Sequence, residues 1–315
     1  MPGLSFEKGK NSKPIAIVNG GDADGDVLYL HDDSFKPTAK KRIEIPAHKY
    51  STQLKKFKKT EVPKVLDRLR AALNGETPLS PDEDPDVKAL LERIKEDTTT
   101  LTEIELPSDS MFQLIANPSK THRDVFYIAG ASGSGKSYIA RQIAESYRHF
   151  HPDRGIYLVS KLNEDSTLDN MRGGKPKRIN IQTLVDDPPD IEEFRDCMVI
   201  IDDIDALEKP QWKAVMTLAN DIAITGRHTV TSLLYLSHHL TNYSATRLLL
   251  NEATCYCVYP QTTSKHALKY LLETHAGLDA DMIKRLRSMG RWTAIHKNVP
   301  PYLISTHYAS LCNQD

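Results

Sequence analysis

One octapeptide constrains the fold of this 315-residue chain more than any other segment. Residues 130–137 read Gly-Ala-Ser-Gly-Ser-Gly-Lys-Ser and match the pattern G-x4-G-K-[ST]. They follow the apolar run VFYIA and precede a segment with the apolar spacing of a helix. A flexible Gly-Ser linker lacks these flanks, and a chance match is expected on the order of once in a hundred such sequences. The octapeptide therefore predicts a phosphate-binding loop between a strand and a helix.

The residue types in this loop suit a nucleoside triphosphate with Mg2+. Glycines let backbone N–H groups turn inward around the phosphates, and the following helix directs the positive end of its dipole at them. Lys136 is predicted to bridge the β and γ phosphates of ATP, and Ser137 to give its hydroxyl to Mg2+. The predicted nucleotide-binding residues are Gly130, Ala131, Ser132, Gly133, Ser134, Gly135, Lys136 and Ser137.

A second apolar run, CMVIIDD at 197–203, ends in two carboxylates. Asp202 is predicted to bind Mg2+ through water. Asp203 is predicted to polarise the attacking water, because a carboxylate at the C-terminal edge of a parallel sheet faces the γ-phosphate. Asp205 is the alternative for the second role, although it lies beyond the strand and before a helical stretch, where helix caps occur.

Short apolar strands alternate with helices from residue 124 onward, which favours a mainly parallel sheet with helices on both faces. GIYLVS lies between the P-loop helix and the strand that ends at Asp202, as in the class with an additional strand. The predicted fold is therefore an α/β P-loop NTPase of the additional-strand, RecA/FtsK-like class. The strand VTSLLYLS ends at Ser237, where Ser237 or His238 can contact the γ-phosphate and sense its loss. A pair of surface histidines is the alternative.

The residues before the P-loop strand carry a different pattern. Residues 1–116 are predicted to form a small accessory α+β unit, and residues 117–315 the motor domain. The loop NGGDADGD contains Asp22, Asp24 and Asp26, yet the distal Glu of a calcium loop is missing, so a turn is the preferred interpretation.

Composition limits the remaining choices. A net charge of -1 gives no global basic field, so charge alone does not predict nucleic-acid binding. No apolar run reaches about eighteen residues, and no apolar signal core is present near the start, which predicts a cytosolic protein. The four cysteines suit a reducing compartment. Cys255 and Cys257 are interpreted as core residues, since no second pair of zinc ligands lies at suitable spacing.

Several stretches together resemble the genome-packaging ATPases of nucleocytoplasmic large DNA viruses, of the poxvirus type, within the FtsK and HerA superfamily of DNA translocases. They are GASGSGKS, VIIDD and the run from TGRHTVTSLLYLSHHL through NEATCYCVYP, with SKHALKYLLE and RWTAIHKN beyond. The similar region spans roughly residues 102–305. The resemblance implies an ATPase ring, a pentamer or hexamer, that threads double-stranded DNA into a capsid.

The resemblance also implies that an arginine of one subunit reaches the nucleotide of the next. Arg227, in TGRH, stands where that superfamily places such an arginine, and Arg247, in ATR, is the second candidate. Two positions depart from the family: Asp203 replaces the usual Glu, and His238 replaces the sensor Gln. Implied partners are double-stranded DNA, capsid or portal-vertex proteins and virion membrane components, at an assembly site in the host cytoplasm or in the virion.

Two other functions share the same phosphate-binding loop. A P-loop kinase of a small molecule needs an acceptor pocket and an arginine-rich lid, and no lid-like segment is visible in the sequence. An ATPase switch that binds DNA without translocating has no distinguishing motif. If the protein grips DNA, the loop with Lys175, Lys177 and Arg178 is a first candidate for the phosphate contacts.

Overall fold

A computed structural model of the protein describes residues 2–32, 34, 45, 50–73, 76–98, 102–241, 246–297 and 299–312. The chain divides into two compact units. The N-terminal unit comprises Met1–Lys13 with Leu28–Glu105, and the P-loop unit comprises Pro14–Val27 with Leu106–Asp315. The division into an accessory unit at 1–116 and a motor domain at 117–315 stays a prediction.

The strands are, in chain order, β1 (Gly3–Ser5), β2 (Lys13–Asn19), β3 (Val27–His31), β4 (Glu103–Glu105), β5 (Met111–Leu114), β6 (Val125–Ala129), β7 (Ile156–Ser160), β8 (Lys177–Arg178), β9 (Met198–Asp202), β10 (Ser232–Ser237), β11 (Cys255–Val258), β12 (Thr293–His296), β13 (Tyr302–Ser305) and β14 (Tyr308–Leu311). The helices are α1 (Ser51–Leu54), α2 (Val62–Leu73), α3 (Pro85–Thr98), α4 (Lys136–Phe150), α5 (Ile181–Asp186), α6 (Lys209–Thr229), α7 (Arg247–Glu252), α8 (Lys265–Thr274) and α9 (Ala280–Leu286). Short 3-10 turns cover Leu168–Asn170 and Ile191–Phe194.

The N-terminal unit has a small core of its own. β1 and β3 pair antiparallel, with Leu4 opposite Leu30. The apolar positions of α2 and α3, including Leu69 and Ile94, are buried together in one cluster. Amphipathic helices of this kind are stabilised mainly by that packing rather than by intrinsic propensity.

The P-loop unit is built on one long twisted sheet with the strand order β14-β13-β12-β11-β6-β10-β9-β7-β8. Six neighbouring strands run parallel to one another: β11, β6, β10, β9, β7 and β8. The strand β12 pairs antiparallel with β11, β13 with β12, and β14 with β13. β10 pairs with β6 on one side and with β9 on the other. A strand inserted between the P-loop strand and the strand that ends at Asp202 defines the additional-strand class, so the predicted fold class is confirmed.

The central strands are short apolar runs because helices cover both faces of the sheet. Every residue of β6, β9, β10 and β11 is buried, as in parallel sheets with two covered faces. The helix α6 has a proline in its first turn, where the missing N–H is not needed, and its C-cap residue, Val230, lies in the left-handed region. The chain then enters β10 directly, with the N–H of Thr231 donating to Gly226 O.

After β11 the sheet continues with three antiparallel strands, β12, β13 and β14. Thr293, at the start of β12, lies opposite Val258, at the end of β11. The turn before β12 requires Gly290, whose φ is 136° and whose added Cβ would lie 2.9 Å from Thr306 Oγ1. This turn therefore lies at the C-terminal edge of the parallel strands, where the P-loop also lies.

All four cysteines are free and buried. Cys255 and Cys257 lie on β11, and Cys255 Sγ is 3.4 Å from His296 Nε2. Their position in the sheet agrees with the interpretation as core residues. None of the helices among the described residues is long and apolar enough to cross a membrane.

Candidate nucleotide-binding site

The P-loop is fixed to the sheet at its first residue. The N–H of Gly130 donates to Ser237 O at the end of β10, 3.1 Å away. The ring of Tyr259 lies beneath this position, only 2.6 Å from where a Cβ on Gly130 would stand, so no larger residue fits. Gly133 and Gly135 have φ values of 73° and 109°, which glycine adopts without strain. Ala131, Ser132 and Gly133 remain exposed, while the hydroxyl of Ser134 is buried.

Lys136 begins α4, and its side chain lies inside the loop. Its Nζ donates to Gly130 O at 3.0 Å and to Ala131 O at 3.3 Å, and the ammonium group is largely buried. Burial lowers the pKa of Lys136, while the nearby carboxylates of Asp202 and Asp203 oppose that shift. If a nucleotide binds, the ammonium can exchange its bonds to the loop carbonyls for stronger, charge-assisted bonds to phosphate.

Ser137 and Asp202 face each other from α4 and β9. Ser137 Oγ donates to Asp202 Oδ2 at 3.1 Å. Asp202 is only 2% exposed. This burial, assisted by the neighbouring charge of Asp203, raises the pKa of Asp202 to about 6. A hydroxyl and a carboxylate are oxygen ligands of the kind that Mg2+ prefers, so this pair fits the predicted metal role.

Asp203 occupies an unusual backbone conformation directly after β9. Its φ is 52°, in the left-handed region that aspartate and asparagine enter more readily than other side chains. Its N–H donates to Asp202 Oδ1 at 2.9 Å, and its own Oδ1 lies 3.2 Å from His238 Nε2. The left-handed conformation gives a physical reason for an aspartate at this position. Asp205 is exposed and does not cap α6, whose N-cap is Glu208, so the expectation of a capping role is wrong.

His238 and Ser237, both predicted as γ-phosphate contacts, point in different directions. The hydroxyl of Ser237 donates to His239 O at 2.8 Å and so is engaged with the backbone at its own turn. The imidazole of His238 instead reaches Lys136 Nζ, 3.3 Å from Nδ1. The structure thus brings Lys136, Asp202, Asp203 and His238 together.

Arg227 and Arg247 lie apart from this cluster. Arg227 is in the last turn of α6 and exposed, with Nε 3.4 Å from His228 Nε2. That turn leads into the N-terminal end of β10, whereas the P-loop leaves the C-terminal end of β6, which runs parallel to β10. Arg247 begins α7 and is exposed, and residues 242–245 before it lie outside the described residues. Among the described hydrogen bonds, neither arginine contacts the P-loop.

Two further side chains reach the site without having been predicted from the sequence. Asp165, in the loop after β7, has a carboxylate oxygen that lies with those of Asp202 and Asp203 inside a span of 4.8 Å. Its Oδ1 also accepts hydrogen bonds from the N–H groups of Thr167 and Leu168. The signal that could have found it is its position after a strand adjacent to β9, because loops that follow parallel strands share one edge.

The second side chain that reaches the site is Arg291, in the turn before β12. Its Nη2 donates to Gly133 O at 3.1 Å. It is far from the P-loop in sequence, and although it begins the stretch RWTAIHKN, that stretch gives no sign of a contact with the P-loop. The sheet order is the signal that could have indicated it.

The basic loop that the sequence suggests for DNA contacts is partly engaged within the chain. Arg178 pairs with Asp169 at 2.8 Å and donates to Leu162 O at 2.6 Å. Lys177 Nζ lies over the ring of Tyr157, 5.5 Å from its centroid. Lys175 remains exposed, so it is the most available of the three for a phosphate.

The fold and the P-loop geometry define this chain as a P-loop NTPase of the additional-strand class. It belongs to the family of the uncharacterized protein V3 of Sputnik virophage, to which it is 30% identical over 195 residues. The matched region covers 61% of this chain and 78% of that protein. No protein-family model matches the chain.

Solved structures to which the chain is similar include a viral ATPase and a secretion ATPase. The DNA-packaging ATPase B204 of Sulfolobus turreted icosahedral virus has a TM-score of 0.41 and 12% identity, over 61% of this chain and 100% of that chain. The cytoplasmic domain of the Thermomonospora curvata type VII secretion ATPase EccC has a TM-score of 0.43 and 15% identity, over 66% of this chain and 28% of that chain.

Proposed function

We propose that the protein is an ATP-hydrolysing translocase of double-stranded DNA that packages a viral genome into its capsid. The proposed ATP hydrolysis rests on the arrangement of Lys136, Asp203 and His238. The carboxylate of Asp203 lies within hydrogen-bonding distance of His238, the residue that follows β10, and His238 also contacts Lys136. The packaging part is supported by the resemblance of residues 102–305 to poxvirus-type packaging ATPases. A relative encoded by a virophage is consistent with a viral motor.

Each residue of the arrangement has a role in this proposal. Ser137 and Asp202 would hold Mg2+, which neutralises charge on the phosphates of ATP. Lys136 stabilises the negative charge that develops on the transferred phosphoryl group. Asp203 orients the attacking water and polarises it.

The motor works as a ring of identical subunits, in which Arg227 of one subunit acts on the nucleotide of the next. Heterologous contacts of this kind close into rings when the rotation permits. DNA is held through its phosphates rather than its base edges, because a translocating motor must move over any sequence. Capsid or portal-vertex proteins and membrane components of the virion are its further partners, at an assembly site in the host cytoplasm.

The decisive experiment is the rate of ATP hydrolysis with and without long duplex DNA. We expect DNA to raise the rate, and Lys136→Ala to abolish hydrolysis while leaving the fold intact. Lys269→Ala is the matched control, because Lys269 is exposed on α8 with 63% of its side chain accessible. The stimulation should fall steeply between low and physiological salt, since phosphate contacts release counterions.

The same assay separates the alternatives. A small-molecule kinase would turn over ATP only with an acceptor and would not respond to duplex DNA. A DNA-binding switch would respond to DNA but would not displace a triplex-forming strand annealed along the duplex, as a translocase does. Hydrolysis that ignores DNA of every length would refute the proposed motor.

A further inference from the structure

The side chain of Arg291 is exposed and, among the described residues, makes one hydrogen bond to the P-loop. Its Nη2 donates to Gly133 O and lies 3.8 Å from where a Cβ on Gly135 would stand. A guanidinium group carries five N–H donors in a fixed plane. One bond to a carbonyl at 3.1 Å therefore leaves most of its donors, and its flat faces, available to a ligand.

The surrounding structure is built to hold Arg291 at this place. Gly290 supplies the backbone turn that no other residue would adopt without strain, and Thr306 closes the space behind it. The following residue, Trp292, is buried, and Thr293 pairs with Val258 at the end of β11. The backbone on both sides of Arg291 is thus fixed, while its side chain remains exposed.

The sheet order determines which end of a nucleotide Arg291 meets. The groups suited to the terminal phosphate are Asp203, after β9, and His238, after β10. β10 and β9 lie on one side of β6, and β11 and β12 lie on the other. A nucleotide whose terminal phosphate lies against Asp203 and His238 therefore directs its nucleoside across the P-loop toward β11 and β12.

We propose that Arg291 binds the nucleoside end of the nucleotide, with its guanidinium plane against the base and a remaining N–H available to the ribose. The ligand class is a nucleoside di- or triphosphate, and this inference rests on the proposed nucleotide-dependent function. Guanidinium groups stack on flat π systems, which the point charge of a lysine does not reproduce. Arg291 is a binding residue here and takes no part in the transfer of the phosphoryl group.

The test compares a ligand that carries a nucleoside with one that consists of phosphates alone. Affinity for ADP and for inorganic tripolyphosphate, both with Mg2+, is measured by competition against a fluorescent ADP analogue. We expect Arg291→Ala to weaken ADP binding by about tenfold and to leave tripolyphosphate binding unchanged, because a hydrogen bond to a charged group contributes roughly that much. Arg291→Lys should not restore ADP affinity. Arg172→Ala, which removes an exposed arginine of the same unit, is the control.

Any other combination of changes in affinity for ADP and tripolyphosphate overturns the inference. Equal loss for ADP and tripolyphosphate would show that Arg291 serves the phosphates or merely supports the loop, and no loss for either would show that it does not bind nucleotide. Steady-state kinetics give an independent readout: KM for ATP should rise with kcat unchanged, as for binding that is equal in the ground and transition states. If the wild-type protein bound no nucleotide, the proposed function would fail instead.

Discussion

His238 lies with Nε2 3.2 Å from Oδ1 of Asp203, and its other ring nitrogen, Nδ1, is 3.3 Å from the ammonium of Lys136. The lysine can only donate, so Nδ1 accepts and Nε2 carries the proton that is donated to Asp203. This imidazole thus joins the residue proposed to bind phosphate, Lys136, to the residue proposed to activate water, Asp203. We expect Lys136 to exchange its present partners for phosphate when a nucleotide binds, and this exchange would release His238 together with Asp203.

Replacing His238 should therefore slow hydrolysis more than it weakens binding. We expect His238→Ala to lower kcat roughly a hundredfold, the usual effect of losing one donor in a polar catalytic site, with ADP affinity nearly unchanged. His238→Gln, which introduces the sensor residue of the packaging ATPases that the sequence resembles, should keep most of the activity. The neighbouring and exposed His239→Ala is the control, and a His238→Ala enzyme with full activity would contradict the role.

The Asp202→Asn and Asp203→Asn variants should differ in their affinity for ATP with Mg2+. Asp203→Asn is expected to bind ATP with Mg2+ normally and to turn over at least about a hundredfold more slowly, because only the activation of water is lost. Asp202→Asn should also lose the Mg2+-dependent part of the affinity. Calorimetry with and without Mg2+ measures the difference, and an equal loss of affinity in both variants would show that the two roles are assigned wrongly.

The Asp165→Asn variant tests the third carboxylate of the site, which lies close to those of Asp202 and Asp203. Its expected effect on turnover is small, since its Oδ1 already accepts two backbone N–H groups in its own loop. If Asp165→Asn were slow and Asp203→Asn were active, the water-activating role would move to Asp165.

Asp202 should also make the stability of the metal-free protein depend on pH. Its pKa of about 6 in the folded chain is above the ordinary value of 3.8, so the folded state binds this proton more tightly than the unfolded state. The stabilisation is complete below 3.8 and is lost as the pH rises through about 6. Asp202→Asn should then raise the free energy of unfolding by about 1–3 kcal/mol at high pH.

Urea unfolding without Mg2+ at pH 8 and pH 5 checks this expectation. The increase in the free energy of unfolding caused by Asp202→Asn should be roughly half as large at pH 5 as at pH 8, because Asp202 is already largely protonated at pH 5. Asp205→Asn, at an exposed position two residues beyond the site, should show neither the gain nor its pH dependence. A gain of equal size at both pH values would rule out relief of a buried charge as its cause.

Arg227 should act on the nucleotide of a neighbouring subunit. Lys136→Ala and Arg227→Ala subunits are each expected to be inactive, since an arginine supplied in trans contributes roughly a thousandfold or more to turnover. Mixed rings should regain part of the activity, because some interfaces then hold an intact P-loop facing an intact arginine. If assembled mixed rings stay inactive, or if Arg227→Ala keeps full DNA-stimulated activity, Arg247 becomes the residue to test.

The parts of the site that were predictable are those encoded by short segments. The P-loop, Asp202 and the fold class follow from local patterns, in which apolar strands are followed by glycines or carboxylates. Arg291 could not be found in this way, since its contact with Gly133 depends on β12 pairing with β11. Ser237 and His238 are adjacent in sequence, and only their hydrogen bonds distinguish the residue that faces the site.

The four buried thiols make this chain a convenient host for site-specific probes. Burial raises the pKa of Cys257 and Cys312 to about 12, and those of Cys197 and Cys255 are raised as well. The thiolate is the form that reacts with maleimides, so the native cysteines should label slowly near neutral pH. A single cysteine introduced on the exposed face of α8 could therefore carry a fluorophore for single-molecule work while the native cysteines stay in place.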